Sequence, residues 1–301
     1  MVDLEDVLGC VREMAPEGLA EPWDNCGLII RSGERRIDSV VVCLDVTRAV
    51  VDTAINRGVK LIISHHPLIF KPIKRISAGD AAGGMLYDII KNDINLYAAH
   101  TCVDKTYGGL NDLLAGIIGL EMLEPGDAGE QLSYYRIGRL PRALSAGEFE
   151  RHVLSRLKLD YIYASRGGAA ADTVEMGASG DTGETGVAAG ASGETGVAAG
   201  ASGYIENVAV MCGAYDNDVA DVIKSKADAL LCGEIRYHEA IDLIDGGVHV
   251  IQAGHHETER FFIQLIEKWI NEKYPAITIH SVGYFDPPMS VHDGAGSPND
   301  I

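Results

Sequence analysis

Short apolar runs alternate with amphipathic segments in two stretches of this chain, and the rhythm fails between them. In the first stretch Asp3 is placed to cap a helix running to Met14. The runs Ser39–Leu44, Val59–Ser64 and Ile94–Ala99 read as buried strands. Thr47–Asn56 and Met85–Lys91 between them read as helices, and another helix is expected near Asn111. Strand and helix in strict turn predict a parallel or mixed sheet. The second stretch repeats this, with strands over Ile205–Met211, Ala227–Cys232 and Val248–Ala253. Helices are expected over Asp216–Lys224, Tyr237–Ile244 and, as one long piece, His256–Glu272. In that last piece FFIQLIEKWI sets apolar residues at i, i+3, i+4 and i+7, one face of a packed helix.

The middle reads as a small α+β segment: Leu132–Leu140, a helix over Ser145–Leu157 with Glu148 in its first turn, and Tyr161–Ala164. GETGVAAGAS then occurs twice in tandem, at Gly183–Ser192 and Gly193–Ser202, after a partial copy GASGDT. Gly, Ala, Ser and Thr without an aromatic anchor suit a flexible linker or duplicated loop. The expected organisation is therefore a first α/β lobe over 1–125, the central segment over 126–176 and the Gly/Ala repeat over 177–203. A second α/β lobe over 204–286 and a disordered tail over 287–301 follow.

Composition narrows the class. The chain is 47% hydrophobic, as a globular protein is, and no stretch nears the ~18 unbroken apolar residues of a membrane span. Residues 1–14 carry four acids and no apolar core of a signal peptide, so a cytoplasmic location is expected. The net charge of −19 disfavours DNA as a partner, unless a local basic surface overrides it. Six cysteines without a CxxC pair argue against a thiolate zinc site.

Three of the buried runs end in metal-binding residue types. Ser64-His65-His66-Pro67 closes one strand, and Pro67 prevents its regular continuation. INLYAA opens into His100-Thr101-Cys102-Val103-Asp104, where Asp104 is a hard oxygen ligand able to bridge two cations. The third strand ends at Gly254, where His255 and Glu259 share one face of a starting helix. Singly, each has a bland reading: a structural histidine, a loop-capping aspartate, a solvated i,i+4 pair. Together they lie at the carboxyl edge of the strands, where open α/β sheets bind ligands. Imidazole and carboxylate without thiolate suit Zn, Mn, Fe or Ni, and five ligands over two divalent cations leave room for water. Two cations sharing a hydroxide are a device for attacking phosphorus or activated carbon.

Other residues are candidates for support. His100, Glu234 and His238 are catalytic candidates, the last two at i,i+4 spacing after another strand. Lys71, Lys74 and Arg75 form a basic trio just after His66, either a solvated loop or a substrate-binding rim that steers phosphate. Cys102 with His100 is a lesser alternative as a nucleophile. Phosphate-loop, dinucleotide, nucleophile-elbow and HExxH signatures do not occur.

Several stretches resemble the GTP cyclohydrolase 1 type 2 homologue family, also called the NIF-three-like family. They are EPWDNCGL at Glu21–Leu28, ISHHPLIF at Ile63–Phe70, HTCVD at His100–Asp104 and GGLND at Gly108–Asp112, with GEIRYHE at Gly233–Glu239 and GHHETE at Gly254–Glu259. The likeness covers most of residues 1–120 and 205–285 and leaves out the Gly/Ala repeat. It implies an α/β fold with mixed sheets in two similar lobes flanking a dinuclear metal site. The ligands it implies are His65, His66, Asp104, His255 and Glu259, and the assembly a toroidal homohexamer. The expected function is hydrolysis of a nucleotide-like small molecule through a metal-bound hydroxide. A ring-shaped module that binds DNA or protein around structural metals is the alternative.

Overall fold

Local sequence chemistry starts the helices as expected. Asp3 accepts from the Glu5 amide at 3.0 Å and opens the helix Leu4–Met14. Thr47 caps Arg48–Arg57, and Ser145 with Glu148 forms a reciprocal capping box at the head of Ala146–Leu157. In the computed structural model residues 1–126, 133–165, 203–215 and 219–283 are described. The Gly/Ala repeat up to Ser202, the tail from 287 and residues 216–218 of one expected helix lie outside them.

The strands of the first half are β1 (Val2–Asp3), β2 (Gly27–Ile30), β3 (Arg36–Ile37), β4 (Ser39–Cys43), β5 (Leu61–Ser64) and β6 (Asn95–Ala98). Then come β7 (Glu121–Pro125), β8 (Arg136–Leu144), β9 (Tyr163–Ala164), β10 (Ile205–Ala214), β11 (Ala229–Glu234), β12 (His249–Gln252) and β13 (Thr278–Val282). One sheet has the order β13-β4-β5-β6-β2, parallel except for β2. The other has the order β7-β8-β10-β11-β12-β9, with β10, β11 and β12 parallel and the rest antiparallel. The fold is thus α/β with mixed sheets.

Strand alternation builds the core. Val40 and Val42 of β4 face a central cluster that also holds Val208 and Val210 of β10. Val41 and Cys43 face the other way, onto the helices behind the first sheet, and Ala209 and Met211 do the same behind the second. Helices Leu4–Met14, Leu110–Ile117 and Phe262–Lys273 fill the space between the sheets with Leu8, Leu114 and Phe262. Strands buried on both faces need continuous apolar runs, the pattern the sequence carries.

Two elements cross the expected boundaries. β7, inside the first expected lobe, is an edge of the second sheet, and β13, inside the second, pairs with β4 of the first. The long helix expected over 256–272 is two helices, His255–Glu259 and Phe262–Lys273. The Thr258 hydroxyl donates to the Gly254 carbonyl at 2.9 Å, a back-bond that bends helices, and the turn after it tightens. Among the described residues no helix is long and apolar enough to cross a membrane.

Candidate metal centre

The candidate residues stand where parallel strands stop. Past β5, His65 and His66 still donate backbone hydrogen bonds to Cys43 and Leu44, at 3.1 and 3.0 Å, before Pro67 ends the pairing. Past β12, the chain turns at Gly254 with φ of +103°, a conformation L side chains rarely take, and enters the helix of His255. His100 sits at the head of the short helix Thr101–Lys105. The carboxyl edges of both parallel strand groups therefore meet at one place.

Four imidazoles are fixed there by their Nδ1 atoms. His65 Nδ1 bonds the Ala99 carbonyl at 2.9 Å. His66, His100 and His255 Nδ1 bond Asp45, Asp24 and Glu234, each at 2.8 Å. An Nδ1–H donated outward leaves Nε2 with its lone pair for the centre, as metal-binding histidines are arranged. His65 Nε2 lies 3.6 Å from both Asp104 Oδ1 and Glu259 Oε1, too far for hydrogen bonds. It is buried and has no hydrogen-bond partner among the described residues. His66 Nε2 and His255 Nε2 lie 3.1 and 3.0 Å from the other oxygen, Glu259 Oε2. The two oxygens of Glu259 thus face two different sets of ligand atoms. One ring nitrogen each of His65, His66 and His100 also falls within 4.8 Å of the others.

The charges are strongly coupled. Burial opposes ionising Glu259, yet His65, His255 and His66 outweigh it and hold the carboxyl well below its usual range. Burial and the nearby Glu259 push Asp104 up, although His65 and His100 pull it back. Burial pulls His66 down, but Asp45 and Glu259 outweigh it and raise the ring to about 10. In the same way burial is overcome at His255, which Glu259 raises to about 9. A buried carboxylate surrounded by imidazoles is neutralised by protons when nothing else supplies positive charge.

Backbone shape makes room for Glu259. Gly213 lies at an irregularity of β10 with φ of +62°, and a Cβ there would stand 2.0 Å from Glu259 Oε1. The next strand repeats the device: a Cβ on Gly233 would meet the Gly213 carbonyl at 2.5 Å. Asn111 ties the halves together, accepting from the Cys212 amide at 2.7 Å while donating to the Asp104 carbonyl at 3.1 Å.

Not every candidate reaches the centre. His238 is exposed and meets Tyr237 edge to face, because Glu234 ends strand β11 and i,i+4 spacing shares a face only within a helix. Lys71, Lys74 and Arg75 lie on the exposed stretch 71–80 and line neither cavity at the centre. Cys102 is buried and its Sγ accepts a hydrogen bond from Cys26 Sγ at 3.7 Å; that contact together with burial pushes its pKa up and keeps it a thiol, which opposes a nucleophilic role. Conversely, Asp24, Asp45 and Gly213 were not singled out. Asp45 follows β4 in CLDVT, a carboxylate at a strand exit like those that were read, and Asp24 lies inside EPWDNCGL.

Two cavities flank the centre and share Glu234, Ile235 and His255. One, of about 360 Å³, reaches His100, Asp104 and Glu259; the other, of about 610 Å³, opens on the Asp45 side of His66.

The family profile Duf34/NIF3 (NGG1p interacting factor 3) matches residues 2–176 and 187–285. A GTP cyclohydrolase 1 type 2 homolog of Clostridium perfringens is 28% identical over 260 residues, spanning 85% of this chain and 86% of that protein. NIF3-like protein 1 of Drosophila melanogaster is 29% identical over 273 residues, 87% of this chain and 81% of its own. Among solved structures, a Bacillus cereus protein related to NIF3 superposes with a TM-score of 0.75 over 96% of this chain and 99% of its own. At 22% identity that likeness speaks for the fold.

Proposed function

Because the chain belongs to the Duf34/NIF3 family, we propose that its histidine–carboxylate cluster holds two divalent cations and hydrolyses a nucleotide-like substrate. The observation that carries this reading is the placing of Glu259, whose Oε1 faces His65 while Oε2 faces His66 and His255. Ligand atoms 3.0 to 3.6 Å apart are spaced as the edges of a coordination shell with bonds of about 2.0–2.2 Å. The orphaned Nε2 of His65 fits the same assignment. His65, Asp104 and Glu259 would hold one cation, and His66, His255 and Glu259 the other. Two such cations would supply Lewis acidity and an activated water at neutral pH. The chain's own part is to orient: Asp45, Asp24 and Glu234 lock three imidazoles, and Phe262 packs against the ring of His65, with centroids 4.9 Å apart. His100, at the edge of the set and backed by Asp24, is placed to exchange a proton with a bound substrate.

Elemental analysis of purified protein tests the premise. Wild type is expected to carry about two equivalents of Zn, Mn, Fe or Ni, and His65→Ala about one. Metal-loaded wild type should then hydrolyse a member of a nucleotide and phosphoester panel, and His65→Ala should not. Protein that neither retains nor takes up these metals would sink the reading.

The locking carboxylates make a separate prediction. Asp45→Ala and Glu234→Ala leave every proposed ligand in place but free one ring each. Competition with a chelating dye should show metal affinity weakened by about 10–100-fold in each. Affinity equal to wild type in both would mean the rings are held by other contacts. The homohexamer implied by the resemblance remains part of the proposal, and light scattering of the metal-loaded protein tests it.

A further inference from the structure

Trp23 is half exposed, at 51%, yet the loop that carries it is tightly held. The Glu21 amide donates to Thr101 Oγ1 at 3.0 Å, and Lys105 Nζ donates to Glu21 Oε1 at 2.7 Å. Asp24 accepts from Thr101 and locks His100, while Asn25 Nδ2 donates to the Ile69 carbonyl at 2.6 Å. The indole stands nearly perpendicular to Phe70 and to His100, with ring centroids 5.8 and 6.3 Å away. A large aromatic kept at the surface in a fixed pose forgoes burial that folding would otherwise use.

What it faces gives the reason. Trp23 lines the 360 Å³ cavity that ends on Asp104, His255 and Glu259, and the same cavity is walled by Tyr134, Tyr215 and Ile235. That volume is in the range of small-ligand sites, which are mostly apolar with a few polar groups at one end. Arg236 is the one Lys or Arg lining it among the described residues, and its guanidinium pairs with Glu239 at 2.6 Å. The cavity therefore has apolar faces for a ring and, among the described residues, a single Arg or Lys, already paired, to meet a phosphate.

We infer that this cavity binds a planar heteroaromatic ring of the nucleobase type, with Trp23 as the stacking face and specificity-determining residue. The inference deepens the hydrolase reading and rests on it for what the ring is attached to. Recognition runs through the ring, and any phosphate is left to the cations rather than to Lys71, Lys74 or Arg75.

The chain's two tryptophans make the test direct, since Trp269 is 3% exposed and quenching by a ligand reports on Trp23. Guanosine or adenosine, titrated into the full metal-loaded protein, should quench the emission saturably, and ribose 5-phosphate should not. By calorimetry Trp23→Ala should bind the nucleoside about tenfold or more weakly, as loss of base–aromatic stacking does, while Trp23→Phe keeps most of the affinity. Metal content in both variants should equal that of wild type, which separates a lost stacking face from a damaged site. Unchanged emission with both nucleosides, equal quenching by ribose 5-phosphate, or wild-type binding by Trp23→Ala overturns the inference. Nucleoside binding without any nucleotide hydrolysis supports the ring site while removing the hydrolase reading.

Discussion

Glu259→Gln protein is expected to purify with neither of the two proposed cations, a larger loss than that from any single histidine. Among the described residues its carboxylate is the group that faces both ligand sets, and it is buried to 4% exposure. Glutamine keeps the shape but removes the charge that offsets two divalent ions in a low-dielectric pocket. In metal-free protein Asp45 and the same carboxylate together shape the pH dependence of stability. His66 is raised from 6.5 to about 10 in the fold, so its contribution is full below about 6.5 and is lost as pH rises through about 10. Glu259 is lowered from 4.5, so its contribution is present above 4.5 and is lost as pH falls through its folded value. Chelator-treated wild type should therefore melt highest between about pH 4.5 and 6.5 and lose stability toward pH 10. Metal affinity runs the other way, rising with pH, because each imidazole must shed a proton to bind. In Glu259→Gln the alkaline decline should flatten. Melting curves of chelated protein across pH 5–10, with elemental analysis beside them, read both effects. A Glu259→Gln protein holding two metals would remove the bridging role.

His65, His66, Asp104, His255 and Glu259 were legible because each lies at or within one short helix of the end of a buried apolar run. In an α/β fold the end of such a run is also a position in space, so neighbours along the sheet edge could be read from separate stretches of sequence. The α/β class and most helix starts were legible for a similar reason: capping and periodicity act within a few residues. What was not legible depends on pairing across the chain. Nothing in TIHSV says that β13 lies beside β4, and nothing in EMLEP says that β7 leaves the first sheet. His238 does not share a face with Glu234, because i,i+4 spacing carries information only inside a helix and Glu234 closes a strand. For the basic trio, composition marks charge, but only the fold shows that residues 71–80 are exposed and that Lys71, Lys74 and Arg75 line neither cavity at the centre.

Gly213 is the least visible of the site residues in the sequence, and Gly213→Ala is expected to be among the most damaging small substitutions. Two costs coincide there. At φ of +62° an alanine is strained, by about 1–3 kcal/mol where the surroundings hold the backbone in place. Its Cβ would also stand 2.0 Å from Glu259 Oε1 and 2.9 Å from Cδ, distances at which something must move. Glu259 has little freedom to yield, because His65 and His255 hem it in and a Cβ at 213 would already lie 3.4 Å from His255 Nε2. Both metals should therefore be lost along with stability. Gly58→Ala is the control that separates the two costs. Gly58 caps the helix Arg48–Arg57 at φ of +69°, but a Cβ there meets nothing within 4 Å. That variant should show a comparable strain, on the order of 1 kcal/mol, and keep its full metal content. Thermal melting and elemental analysis on the pair decide the matter. If Gly213→Ala melts like Gly58→Ala and retains two metals, the close approach of Gly213 to Glu259 is not what shapes the centre.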